Sequence, residues 1–183
     1  MPAGLNPMVV ESVRVHMLSS QHVVILKEVE QDRYLPIWIG SNEAEAIARR
    51  LQGVTPERPM THDLFATALA ELGVALKQVI VSGLAEATFM ARLVVEADGR
   101  TLELDARPSD AIALALRADA PIFATDGVLD EAGVRASDAE DPEPDDARLS
   151  VFRDFINSLE TPDEGGEAGG AGGAGGRGGP ELP

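Results

Sequence analysis

The chain has 183 residues, no cysteine, and 31 acidic against 15 basic side chains, which gives a formal net charge of −16. The lack of cysteine excludes a disulfide scaffold, a thiolate metal site and a cysteine nucleophile. No apolar run approaches the ~18 residues of a membrane span, and the first residues lack the pattern of a secretory signal, so we expect a cytoplasmic protein without membrane contact. The acidic balance also argues against nonspecific nucleic-acid binding, because phosphate binding relies on lysine and arginine.

Composition divides the chain into a central domain and less ordered ends. Ten of the fifteen residues in 165–179 are glycine, which predicts disorder. Before them, Leu149, Phe152 and Ile156 recur at helical spacing and predict a helix that docks on its own core, on a second subunit or on a partner protein. The predicted parts are a flexible leader (1–7), one domain (8–132), an acidic linker (133–144), a C-terminal helix (145–160) and a disordered Gly-rich tail (161–183).

Alternating apolar residues predict three strands in the first part of the domain. The first covers 13–17, the second covers 22–30 after a turn at 19–21, and the third covers 34–40. Pro36 cannot donate a ladder hydrogen bond, so we expect this third strand to lie at an edge or a bulge.

Apolar residues at helical spacing predict two helices after these strands. Asn42 can cap the first helix and Thr61 the second. In the second helix, Phe65, Leu69 and Leu72 belong to the stripe that we expect to be buried.

The second part of the domain begins with a short strand at 79–82, followed by a hairpin. Asp98 and Gly99 form the two-residue turn typical of such hairpins. On the returning strand, Leu102 and Leu104 continue the apolar face, which predicts that they are buried.

A third helix follows the hairpin. Pro108 suits its first turn, and residues 111–116 are apolar almost all round, so we expect a central buried helix. A short strand and a helical turn complete the domain up to residue 132. Because strands and helices are grouped rather than alternating, the predicted class is α+β, with mixed or antiparallel sheets built from hairpins and three core helices.

Five short motifs recur in this order along the domain. They are Leu35-Pro36-Ile37-Trp38-Ile39-Gly40, Glu43-Ala44, the run from Arg58 to Leu64, Thr88-Phe89, and the run from Asp105 to Leu114. In order and spacing they resemble the bifunctional nuclease family, in particular its bacterial members, over about residues 8–132. The resemblance implies an α+β fold, oligomers, and DNase and RNase activity. It brings no secure catalytic residue, so the site must be argued from the residues themselves.

The first candidate cluster lies where the hairpin ends and the third helix begins. Arg107 can clamp a phosphate, while Asp105 and Asp110 could hold Mg²⁺ or Mn²⁺ beside it. A purely structural interpretation stands beside this one. Pro108 and Ser109 then only start the helix, Asp110 complements its first turn, and Asp105 pairs with Arg107.

The second candidate cluster opens the second helix. His62 in a first helical turn suits a neutral general base or a metal ligand, with Asp63 beside it. The structural alternative is a helix cap made by Thr61 and Asp63. We expect both helix starts to converge on one pocket, with Glu43 of the first helix nearby as a further metal ligand.

These observations favour a nuclease that hydrolyses phosphodiester bonds of DNA or RNA, weakly and with a divalent metal ion such as Mg²⁺ or Mn²⁺. Its expected partners are single-stranded nucleic acid and a second copy of the chain, as a dimer. A non-catalytic oligomeric module with a regulatory role, recruiting a protein through residues 145–160, is the alternative. Binding of a small phosphorylated ligand at the helix starts is a third. Trp38 lies between two isoleucines, which favours packing over stacking on a nucleobase.

Overall fold

The structure, a computed structural model, describes residues 4–15 and 21–135. The elements in chain order are β1 (Leu5–Val15), β2 (His22–Glu28), β3 (Arg33–Ile39), α1 (Ser41–Leu51), α2 (Thr61–Glu71), β4 (Ala75–Ala85), β5 (Thr88–Ala97), β6 (Arg100–Ala106), α3 (Pro108–Ala118), β7 (Ile122–Thr125), α4 (Asp126–Ala132) and β8 (Val134–Arg135). The predicted C-terminal helix and Gly-rich tail lie outside the described residues.

All eight described strands join one mixed sheet in the order β6-β5-β4-β7-β1-β2-β3-β8. The predicted hairpins are present, because β1 pairs with β2 and β5 with β6 in antiparallel fashion. The short β7 lies between β1 and β4 and is parallel only to β4. The α+β class with mixed pairing is therefore confirmed.

The core lies between one face of this sheet and the helices. Helix α3 is its centre, since residues 111–115 are buried against β4 and β5, as predicted. Helix α1 packs beside α3 with Ile47 fully buried, and α4 adds Val128 and Leu129 to the same apolar cluster. This arrangement fixes the starts of α1 and α3 next to each other.

Two predictions about strand limits differ from the structure. Residues 5–7, expected in a flexible leader, begin β1, where the Pro7 carbonyl accepts a hydrogen bond from the Val29 amide at 3.0 Å. The extended backbone preferred by proline suits this position. At the other end, β8 occupies 134–135, inside the expected linker. The edge position predicted for Pro36 is confirmed, because β8 pairs with β3 only at residues 33 and 34.

The predicted burial of α2 and β6 is wrong. Phe65 is 44% exposed and Leu72 is 77% exposed, and α2 contains no buried residue. The helix contacts the core through the small Ala66, so its larger apolar side chains face outwards. Leu102 and Leu104 are exposed as well, because β6 is the edge strand. Within residues 4–15 and 21–135, no helix is long and apolar enough to cross a bilayer.

Candidate functional site

The starts of α1, α2 and α3 converge, and four of the predicted site residues meet there. Glu43 and His62 lie in the first turns of α1 and α2, Arg107 immediately precedes α3, and Asp110 lies in its first turn. We call these four residues the Arg107 cluster. The helices begin at Ser41, Thr61 and Pro108, so the predicted capping position of Asn42 is wrong: Gly40 precedes the first helix. The predicted convergence of the helix starts is confirmed.

Arg107 is the centre of the cluster. Its Nε donates to Asp110 Oδ2 at 2.7 Å, and its Nη2 donates to Asp110 Oδ1 at 3.1 Å and to Glu43 Oε1 at 2.7 Å. Its Nη1 has no hydrogen-bond partner within the described part of the chain, and the side chain is 66% exposed. Hydrogen bonds to Asp110 and Glu43 raise the pKa of Arg107. The guanidinium is therefore held rigidly while two of its N–H groups face solvent.

His62 is attached to the same carboxylate. Its Nε2 lies 2.9 Å from Asp110 Oδ1, and its side chain is 14% exposed. Burial raises the pKa of Asp110, but hydrogen bonds from Arg107 and His62 outweigh burial and hold that pKa below its ordinary value. An ionised carboxylate only accepts hydrogen bonds, so Nε2 carries the proton here. In neutral His62, Nδ1 is then the free acceptor.

Asp63 points to a different partner. Its Oδ1 accepts from Arg117 Nε at 2.5 Å, and its Oδ2 accepts from the Met60 amide at 2.8 Å. Burial raises the pKa of Asp63, whereas the Met60 amide and Arg117 lower it further, so the net direction is down. Arg117 also donates to the carbonyls of Ala46 and Ala113 and is only 7% exposed. This pair fastens α2 to α1 and α3, which is a positioning role.

Asp105 lies apart from the cluster. It sits on β6 opposite Arg92, is exposed, and has no hydrogen bond or ion pair among the described residues. In the part of the chain that the structure describes, no three histidine or acidic side chains are close enough to hold a metal ion. Glu43, Asp105 and Asp110 therefore do not form a ready-made metal site, because Arg107 already binds two of the three carboxylates.

The charge of the cluster depends on His62. Two carboxylates and one guanidinium give a net charge of −1 when the imidazole is neutral, and zero when it is protonated. Arg117 and Asp63 cancel each other beside it. The sequence analysis missed Arg117, since a lone arginine in the last turn of a helix carries no signal of its distant partner.

Comparison with known proteins gives a consistent family. Residues 24–137 match the profile of the bifunctional nuclease domain. Two uncharacterized proteins of Mycobacterium tuberculosis strains are each 43% identical over 159 residues, which is 85% of this chain and 94% of theirs. Bifunctional nuclease 1 of Oryza sativa is 24% identical over 163 residues, which is 87% of this chain and 47% of the rice protein. The chain therefore belongs to the bifunctional nuclease domain family.

Proposed function

We propose that this chain is a cytoplasmic phosphodiesterase that hydrolyses single-stranded DNA or RNA at the Arg107 cluster. One observation carries the proposal. An arginine fixed by two carboxylates keeps free N–H groups, and a histidine oriented by one of those carboxylates lies beside it. Phosphodiester hydrolysis needs both functions: a cation for the phosphate and a base for water.

Arg107 binds the phosphate in this proposal. Its Nε and Nη2 are already bonded to Asp110 and Glu43, so Nη1 is the group that contacts a phosphate oxygen. Because the guanidinium is prepositioned, it loses little conformational freedom when the phosphate binds. Negative charge grows on the phosphate oxygens as the reaction proceeds, and a fixed cation stabilises the transition state more than the ground state.

His62 is the general base. Its neutral Nδ1 takes a proton from a water molecule, and the water oxygen forms a bond to phosphorus while the bond from phosphorus to the leaving sugar oxygen breaks. The imidazolium, or solvent, returns a proton to that leaving oxygen. Asp110 keeps the ring in the tautomer with the proton on Nε2 and stabilises the imidazolium that forms.

Electrostatics predict weak binding. The chain has a net charge of −16, and the cluster itself carries no excess of positive charge. Mg²⁺ or Mn²⁺ would neutralise part of the substrate charge. The nearby carboxylates are a poor fit to such an ion, because Arg107 binds Glu43 and Asp110 while Asp105 stands apart. We therefore route no step through a metal.

A cleavage assay tests the proposal. The full chain is incubated with labelled single-stranded DNA and RNA in Mg²⁺, in Mn²⁺ and in EDTA, together with His62→Gln and Arg107→Lys. Glu103→Gln, which breaks the distant ion pair with Arg92, is the matched surface control. We expect cleavage by the wild type and the control, and a loss of roughly 10²-fold or more in both site variants. Equal rates in all four proteins would refute the assignment.

A second candidate function, an oligomeric interaction module, is favoured by α2. Leu64, Phe65 and Leu72 are all exposed on a helix with no buried residue, and large exposed apolar groups commonly mark interfaces. We propose that a second copy of the chain covers α2, forming a dimer. Light scattering on the wild type and on Leu64→Glu tests this proposal. A dimer that dissociates in the variant supports it, and a monomeric wild type contradicts it.

A further inference from the structure

Three of the sequence motifs that the Arg107 cluster does not use meet in one pocket beside it. The pocket has a volume of about 370 Å³. It is lined by the end of β3 (37–40), by the turn into β5 (87–89) and by the start of α3 (107–109). Small-molecule sites start at roughly 300 Å³, so the pocket can hold one flat heterocycle. We call it the Trp38 pocket.

Two aromatic side chains, Trp38 and Phe89, contribute to its walls. Both are only half-buried, so their rings are accessible from the pocket rather than enclosed in the core. Arg107 lines the same pocket and also belongs to the cluster that contains His62. A ligand with its phosphate on Arg107 can thus place an attached ring between these aromatic groups.

Ser109 supplies a polar group to the pocket. The residue is 6% exposed, and its hydroxyl has no hydrogen-bond partner among the described residues. Every fully buried side-chain nitrogen or oxygen in that part of the chain does have a partner, so the Ser109 hydroxyl must border the open pocket. A nearly buried hydroxyl without a partner lowers its free energy when a ligand supplies a hydrogen bond.

The turn that presents Phe89 is held in an unfavourable backbone conformation. Glu86 and Ala87 both have positive φ angles, 49° and 62°, without being glycine. The other tight hairpin uses Asp98 and Gly99 at the corresponding positions, which is the common choice. Strained non-glycine backbone of this kind concentrates at ligand-binding sites.

We propose that the Trp38 pocket binds the nucleobase of the nucleotide whose phosphate lies on Arg107. The inference rests on the proposed function and specifies its substrate: a nucleotide unit rather than a bare phosphate ester. Stacking on Trp38 and Phe89 accepts any base, because every base has an aromatic face. Ser109 donates or accepts one hydrogen bond at the edge of the base. Such a pocket requires an unpaired base, which explains a preference for single strands.

The chain offers a direct probe, since Trp38 is its only tryptophan. Tryptophan fluorescence of the full chain, excited beyond nucleotide absorption, is followed while deoxyadenosine monophosphate, deoxyribose 5-phosphate or inorganic phosphate is added. We expect saturable quenching with the nucleotide and little change with the other two. Phe89→Leu should weaken nucleotide binding about tenfold, and Ser109→Ala should weaken it severalfold. Phe65→Leu, the same substitution outside the pocket, should leave it unchanged.

The outcomes separate this inference from the nuclease assignment. No quenching by millimolar nucleotide, or equal quenching by inorganic phosphate, overturns the base pocket even if the chain cleaves nucleic acid. Quenching that Phe89→Leu and Ser109→Ala both leave intact overturns it too. Nucleotide-specific quenching that is weakened by Phe89→Leu supports the pocket, and it does so even if the cleavage assay fails, in which case hydrolysis alone is refuted.

Discussion

Replacing Asp110 with asparagine separates a catalytic from a structural role of the cluster. Asp110 accepts three hydrogen bonds, at 2.7 Å and 3.1 Å from Arg107 and at 2.9 Å from His62. Asparagine has nearly the same shape, but it carries no charge and one of its two terminal groups is a donor. The variant therefore places a donor against Arg107 or against His62 Nε2.

The structural cost of this change is small. Hydrogen bonds to buried charges contribute roughly 1.5–3 kcal/mol each, but exposed ion pairs contribute only about 0–1 kcal/mol. The Asp110 side chain is 30% exposed and Arg107 is 66% exposed, so we expect a loss of about 1–2 kcal/mol in the free energy of unfolding. Domains of this kind have roughly 5–15 kcal/mol, and the variant stays folded.

The catalytic cost is larger. Without an ionised partner at Nε2, His62 samples both tautomers, and Nδ1 is no longer the fixed acceptor. In a buried Ser–His–Asp triad the corresponding change lowers the rate roughly 10⁴-fold. Because the pair here is partly exposed, we expect about 10²-fold.

Two measurements check this prediction. Urea unfolding gives the stability, and the cleavage rate of labelled single-stranded DNA gives the activity. ¹⁵N NMR of the histidines, of which the chain has three, reports the tautomer of His62 directly. Asp130→Asn, which removes an arginine-paired aspartate on α4, is the matched control and should keep full activity. A folded Asp110→Asn protein with the wild-type rate and an unchanged His62 tautomer would refute the reasoning.

Three further predictions concern stability, and equilibrium urea unfolding measures each. Glu28 is 1% exposed and pairs with an arginine at 2.7 Å, so Glu28→Gln should destabilise the fold by about 3 kcal/mol; a change below that of an exposed ion pair would contradict it. Glu86→Asn with Ala87→Gly relieves two positive φ angles and should stabilise by about 1 kcal/mol; a loss of stability would show that the turn is not strained. The pKa values of Asp63 and Asp110 lie below 3.8 in the fold, so these carboxylates stabilise it above about pH 4 and the stabilisation is lost as the pH falls through their folded pKa values; the double asparagine variant should show a flatter pH dependence there.

Local patterns predicted most of the elements, because each depends on neighbours in sequence. The Asp98–Gly99 turn, the proline at the start of α3 and the apolar run from 111 to 115 all have local physical causes, and all three are present. The order of strands is not local. Nothing in Ile122–Thr125 indicates that β7 lies between β1 and β4, because that position depends on long-range pairing.

The candidate site shows the same division. Helix starts at His62 and Arg107 are visible in the sequence, and so is the chemistry of their side chains. The pairing of Asp63 with Arg117 rather than with the cluster follows from how α2 packs on α3, which a helical stripe does not specify. The outward turn of Phe65 has the same origin. Trp38 was expected to favour packing, and only the fold brings it to the pocket beside Arg107.

Chemical rescue tests the central claim, general-base catalysis by His62, most directly. The cleavage rate of single-stranded DNA in EDTA is measured for the wild type and for His62→Ala, with and without added imidazole. The account predicts a roughly 10²–10⁴-fold loss in the variant, partly restored by imidazole in proportion to its concentration. Imidazole should leave the wild type unchanged, which separates the chain from a contaminating nuclease. Equal rates for wild type and His62→Ala without imidazole would contradict the account.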